Sequence, residues 1–161
     1  MLRIAVVVGS TRPGRVGRSV ADWVLENAQD RSDAQFEMVD VADFALPLLD
    51  EPLPPSLGRY RNEHTKAWAE AIGSFDGFVI VTGEYNHSVP GALKNALDFL
   101  YREWNNKAVA FVSYGSAGGI RAVEHLRLIA AELQMADVRA QVALPLATDF
   151  ENYRRFTPSS R

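Results

Sequence analysis

Five short apolar runs, separated by stretches with helical spacing, constrain this chain more than any other feature. Leu2–Val8, Phe78–Thr82 and Ala108–Ser113 are β-branched and almost wholly apolar, as strands buried on both faces are. Phe36–Val41 and Val138–Leu144 are weaker runs of the same kind. Between them apolar residues recur every three or four positions: from Val16 to Asn27, from Tyr60 to Ile72, from Pro90 through Leu93, Leu97 and Leu100 to Trp104, and from Val123 to Leu133. Alternating buried strands and amphipathic helices predict an α/β fold, a doubly wound parallel sheet with helices on both faces and right-handed crossovers. Five strands in 161 residues suit the strand order 2-1-3-4-5 better than a six-stranded dinucleotide fold. The whole chain, 1–161, reads as one domain. The segment Phe44–Leu57, with four prolines, reads as a loop. Ser88 reads as the cap of a helix whose first residue is Pro90, and the residues beyond Leu144 read as a polar tail.

Composition excludes several chemistries. The chain has no cysteine, so disulfides, Fe–S clusters, thiolate zinc sites and cysteine nucleophiles are out. Three scattered histidines, 64, 87 and 125, argue against an all-histidine metal site. Seventeen Lys and Arg against 20 Asp and Glu leave a net charge of −3. That is too balanced for an electrostatic nucleic-acid binder, and not the strongly acidic surface of a carrier that docks on basic partners. No apolar run reaches the roughly 18 residues of a membrane helix. The first strand begins at once, so no signal peptide is expected and a cytoplasmic location is.

Ligands of such sheets bind beyond the carboxyl ends of the strands, which directs attention to three loops. The first, Gly9-Ser10-Thr11-Arg12-Pro13-Gly14-Arg15-Val16-Gly17-Arg18-Ser19, leads a strand into a helix. Helix N-terminal amides, hydroxyls and arginines suit a phosphate monoester. The loop matches neither the Gly-Lys-Ser/Thr ending nor the GxGxxG pattern of nucleotide-binding loops. Arg12 is read as the ligand, with Arg15 and Arg18 facing solvent. In the second loop, Thr82–Gly91, Tyr85 offers a wall and Asn86 a polar edge to a flat heteroaromatic ligand. The same residues also suit a plain capped helix entry. The third, Ser113-Tyr114-Gly115-Ser116-Ala117-Gly118-Gly119, either lets backbone amides approach a ligand or serves packing alone. His64 and His125 are expected to face solvent. There is no G-x-S-x-G and no serine with a sequence-evident base, so no catalytic residue and no metal ligand is assigned, and a cofactor is expected to carry the reaction.

These residues resemble the NADPH-dependent FMN reductase family, which includes related quinone and azo reductases. Gly9–Arg15 resembles its phosphate loop, Glu84-Tyr85-Asn86-His87-Ser88-Val89-Pro90-Gly91-Ala92-Leu93-Lys94-Asn95-Ala96-Leu97-Asp98 its second signature, and Ser113–Gly119 its third loop. The similarity spans about residues 2–145. It implies a flavodoxin-like fold, bound FMN, reduction by NADPH or NADH, a flavin, quinone or azo compound as acceptor, and ping-pong turnover in a homodimer or homotetramer. By position, Ser10, Thr11 and Arg12 would hold the FMN phosphate, with amides near Val16 and Gly17. Glu84, Tyr85 and Asn86 would line the isoalloxazine, and Ser113, Gly115 and Gly118 would close its other edge. Many members carry proline where this chain has Gly83, which implies a looser second loop. An electron carrier or redox sensor without nicotinamide turnover is the alternative, and a phosphate-ligand protein without flavin is a third.

The helix from Pro90 bears on assembly. Leu93, Leu97 and Leu100 make one apolar stripe; Ala92, Ala96 and Phe99 make another, followed by Tyr101 and Trp104. Either the second stripe meets a partner subunit or both belong to one wide core face.

Overall fold

The computed structural model describes residues 1–159. Five parallel strands, β1 (Leu2–Val8), β2 (Ala34–Asp40), β3 (Gly77–Thr82), β4 (Ala108–Gly115) and β5 (Ala136–Pro145), form one sheet in the order β2-β1-β3-β4-β5. All four pairings are parallel. The helices are α1 (Gly17–Ala28), α2 (Glu63–Gly73), α3 (Gly91–Asp98) and α4 (Ile120–Glu132). This is the flavodoxin-like winding expected from the alternation of apolar runs.

The period of two along β1 sorts the core into its two layers. Ala5 and Val7 face a layer with Trp68 and Ile72 of α2, Leu93 and Leu97 of α3, and Val123 and Leu126 of α4. Val6 and Val8 face the other, with Val20 and Ala21 of α1 and Tyr114 and Leu144. Helix α1 alone cannot cover that second face across the full sheet. The residues after β5 complete it. They form a short helix α5 (Leu146–Asp149) and an antiparallel hairpin of β6 (Phe150–Glu151) and β7 (Arg155–Phe156). Phe150 is buried against Tyr114 and Phe156, with centroids at 6.1 and 5.1 Å, and Phe156 meets Trp23 of α1 edge-on at 5.8 Å. The segment read as a polar tail is therefore part of the fold. Its two phenylalanines sit among charged residues, and that polarity hides them from a periodicity argument.

Two further expectations change. Helix α3 stops at Asp98, well short of Trp104. The chain then turns through short i→i+3 bonds, Leu100 N to Leu97 O and Trp104 N to Tyr101 O. These turns fold Phe99, Leu100 and Trp104 into the core at 0, 1 and 0% exposure. The Trp104 indole donates to Leu97 O at 3.2 Å. Ala96, on the supposed second stripe, is 1% exposed as well. One wide core face within a single chain thus accounts for most of the helix's apolar residues, and α3 itself requires no partner. Second, Pro90 precedes the helix rather than opening it, and no side chain caps α3; the Ser88 hydroxyl instead bonds His125. Among the described residues no helix is long and apolar enough to cross a membrane.

Candidate functional site

Parallel winding carries the loops after β1, β3 and β4 to one rim. There they enclose a pocket of about 510 Å³, within the range of small-ligand sites. Ser10, Arg12, Arg15 and Val16 line one end. Gly83, Glu84, Tyr85, Tyr114 and Gly115 line the other, and Leu146, Tyr153 and Arg154 of the C-terminal segment form a third wall.

In the first loop Arg12 to Arg15 close a tight turn, Arg15 N donating to Arg12 O at 3.1 Å. Pro13 and Gly14 are its central pair, and Gly14 takes the positive φ of 71° that this turn demands. Arg15 does not face solvent. It donates twice to Asp40 at the end of β2, at 2.9 and 2.7 Å, and once to Ser10 O at 2.5 Å. Arg18 donates to the same carboxylate at 3.2 Å. The Asp40 side chain is 1% exposed, so a buried anion draws both arginines and ties the loop to β2. Arg12 has no ion pair or side-chain hydrogen bond among the described residues. It is the one cation of this loop available to a ligand. The first-turn amides of α1 beside it have no intrahelical acceptor.

The second loop is tightly pinned. Tyr85 and Ser88 exchange backbone bonds at 3.0 Å each, around Asn86 and His87 at φ 46° and 73°, the two-residue turn with both central φ positive. The Glu84 carboxylate points away from the pocket. It accepts from the amides of Arg121 and Ala122 at 3.0 and 3.2 Å, and from the Arg121 guanidinium at 2.5 Å. It therefore caps the positive end of α4 and locks the second loop to the third. His125 Nδ1 lies 2.8 Å from Ser88 Oγ, so His125 helps join the loops rather than only facing water. His64 pairs at the surface with Asp50 at 2.9 Å. The glycine in place of the family's proline leaves no slack. A Cβ on Gly83 would stand 3.2 Å from the Tyr114 ring, so the tyrosine already fills the space beside it.

Tyr114 is the floor of the pocket and was not singled out by sequence reasoning, because an aromatic at a strand end reads as core. Its hydroxyl is pushed up to about 12, by burial first and then by the nearby Tyr85. It stays neutral at physiological pH. The same hydroxyl would lie 2.7 Å from a Cβ placed on Gly17.

Of the residues expected at the site, Ser10, Arg12, Val16, Tyr85 and Gly115 converge on the pocket, with Glu84 present at its wall but its carboxylate directed elsewhere. Thr11 faces a neighbouring cleft with Tyr85 and Gly91. Gly17 lies beneath Tyr114, and Asn86 sits in the turn beyond the pocket lining. Ser113 is buried and donates to Gly118 O at 2.7 Å, while Gly118 N donates to Gly115 O at 3.0 Å. These two shape the third loop from within.

A flavodoxin-like sheet with a rim pocket lined by an unpaired arginine, a serine and tyrosines has the shape and donors of a site for an anionic aromatic ligand. Comparison with known proteins agrees. The family model for NADPH-dependent FMN reductase matches residues 2–149, and the chain belongs to that family. It is 41% identical to an NAD(P)H-dependent FMN reductase of Nectria sp, over 91% of this chain and 77% of that one. It is 36% identical to a 2-hydroxy-1,4-benzoquinone reductase of Burkholderia sp, over 83% of this chain and 73% of the relative. Among solved structures, the flavoenzyme NAD(P)H:(acceptor) oxidoreductase FerB of Paracoccus denitrificans superposes with a TM-score of 0.75 at 22% identity, covering 98% of this chain and 87% of that one. Family membership makes the chain an FMN-dependent oxidoreductase that uses NAD(P)H.

The Tyr114 contact yields a test. Gly17→Ala is expected to destabilise the fold by about 1–3 kcal/mol through overpacking. Adding Tyr114→Phe removes the clashing oxygen, so the double variant should recover most of that loss. Urea titration of the two single variants and the double variant measures the coupling. Additive losses would contradict the contact.

Proposed function

We propose that this pocket binds FMN with its phosphate against Ser10, Arg12 and the first-turn amides of α1, and its ring system along Tyr85 and Gly115. In this reading the chain oxidises NAD(P)H and passes electrons to a small-molecule acceptor, a quinone, flavin or azo compound. The observation that carries it is the charge arrangement of the first loop. Arg15 and Arg18 are committed to Asp40, whereas Arg12 stands unpaired at a donor-rich end of the pocket. The donor set fits a phosphate monoester, since both neighbouring carboxylates, Asp40 and Glu84, are turned to protein partners.

When bound, FMN supplies the two-electron redox chemistry. The chain's residues bind and orient. The Glu84 clamp holds the second and third loops in register, so a ring seated there meets a preformed wall rather than a mobile one. Tyr114, with its hydroxyl held neutral, serves as a hydrogen-bonding floor and not as a base. In this reading reductant and acceptor would use the same pocket in turn, the reductant leaving before the acceptor binds.

Arg12→Ala is expected to weaken FMN affinity by about ten- to a hundredfold, the worth of a charge-assisted hydrogen bond, while the melting temperature of the apoprotein stays put. Quenching of flavin fluorescence on titration reads it, and wild-type affinity would refute the phosphate assignment. Initial rates over a grid of NADPH and menadione concentrations should give parallel double-reciprocal lines; intersecting lines would remove the sequential use of one face.

Homo-oligomeric assembly belongs to the same proposal. It rests on the family resemblance and not on α3, whose apolar residues mostly pack inside one chain. Light scattering at micromolar concentration should return at least twice the mass of 17.8 kDa; a monomer mass would end it.

A further inference from the structure

The third wall of the pocket comes from the C-terminal hairpin, beyond the residues 2–149 that match the family model. We infer that this hairpin is part of the binding site and that Arg154 is a second phosphate ligand, reaching the pocket from a different element than Arg12. The inference rests on the reading of the pocket as the FMN site.

Charge accounting around the pocket carries it. Each nearby acid is already matched. Asp40 holds Arg15 and Arg18, Glu84 holds Arg121, and Glu151 of β6 pairs with Arg155 at 3.4 Å. Two arginines that line the pocket are left without a side-chain partner among the described residues, Arg12 and Arg154. Their combined charge of two complements a phosphate monoester, which carries about −1.5 to −2 near neutral pH. Guanidinium groups left unpaired on two walls of one concave site lower the cost of bringing an anion in and raise its local concentration.

The hairpin backbone that carries Arg154 is fixed to the fold. Its base is anchored by Phe150 and Phe156 against Tyr114 and Trp23. Thr157 N donates to Asp149 O at 2.8 Å, and the buried Asp149 carboxylate accepts from Ser159 N and Oγ at 3.1 and 3.0 Å. At its tip Arg154 N donates to Glu151 O at 3.1 Å, around Asn152 and Tyr153 at φ 50° and 58°. A tyrosine in the left-handed region is strained, and such strain gathers at ligand-binding segments. Tyr153 is 68% exposed, and both it and Arg154 line the pocket. Phosphate could come from the flavin or from the nicotinamide dinucleotide, and the experiment separates them.

The purified protein is stripped of flavin and titrated with FMN by fluorescence quenching, for wild type, R154A, R154K and R12A. NADPH and NADH KM values are then measured with FMN saturating. Arg154 is exposed on a turn, so R154A should melt with the wild type. Expected is a roughly tenfold loss of FMN affinity in R154A, largely restored in R154K and smaller at high salt. Unchanged FMN affinity with a severalfold higher KM for NADPH would keep the phosphate role and assign it to the dinucleotide. If R154A changes neither while R12A weakens FMN binding, the hairpin is only structural and the inference falls. If R12A also leaves FMN affinity untouched, the FMN reading of the pocket fails with it.

Discussion

The carboxylate of Asp40 decides which arginine of the first loop can meet a ligand. It sits at the end of β2 with its side chain 1% exposed, and a buried anion must be paired or pay a large desolvation cost. Arg15 supplies the pairing bidentately and Arg18 adds a third bond. The Arg15 guanidinium also grips the Ser10 carbonyl, so neutralising Asp40 and shaping the first loop are one act. One carboxylate offsets part of the repulsion among the loop's three like charges, and it leaves Arg12 as the arginine with no side-chain partner of its own among the described residues.

The same device recurs on the other side of the pocket. Glu84 is withdrawn from the ligand space and set on the amides that open α4. Carboxylate and helix dipole stabilise each other there, each such contact being worth up to about 2 kcal/mol when partly buried. The result is mechanical as well as electrostatic. The loop after β3 is tied to the start of α4 that follows the loop after β4, and Tyr114 packs against both Gly83 and Gly17. A ring seated against such a floor would meet walls that need little reorganisation.

The second face of the sheet explains why the chain's end takes part. Helix α1 covers β1 and its neighbours but leaves Tyr114 and Leu144 to be shielded by something else. A short helix and a hairpin do this with Phe150 and Phe156. Because they lie over the carboxyl end of β5, their polar turn reaches the pocket. Packing of the core thus brings Tyr153 and Arg154 to the site without any local signal for it.

Much of this was legible in the residues. Short continuous apolar runs alternating with period-3.6 stretches point to a covered parallel sheet, and a parallel sheet places its loops at one rim. The three loops announced themselves through glycine, hydroxyl and arginine content, and the second signature specified the family. What a linear reading lacked was side-chain direction. Glu84 lines the pocket as expected, yet its carboxylate is taken up by the amides of α4, which its place in the sequence does not show. Arg12, Arg15 and Arg18 are alike in composition, and only the proximity of Asp40, 25 residues from Arg15, separates the free one from the bound. The helix after Pro90 looked two-sided because residues beyond Asp98 were wound onto it, whereas short turns fold them inward. Sequence alone determined the fold and where a ligand would lie, since local periodicity and chirality dictate both. Tertiary structure decided which charges remain for that ligand, because pairing is settled by distances in space that residue order does not contain.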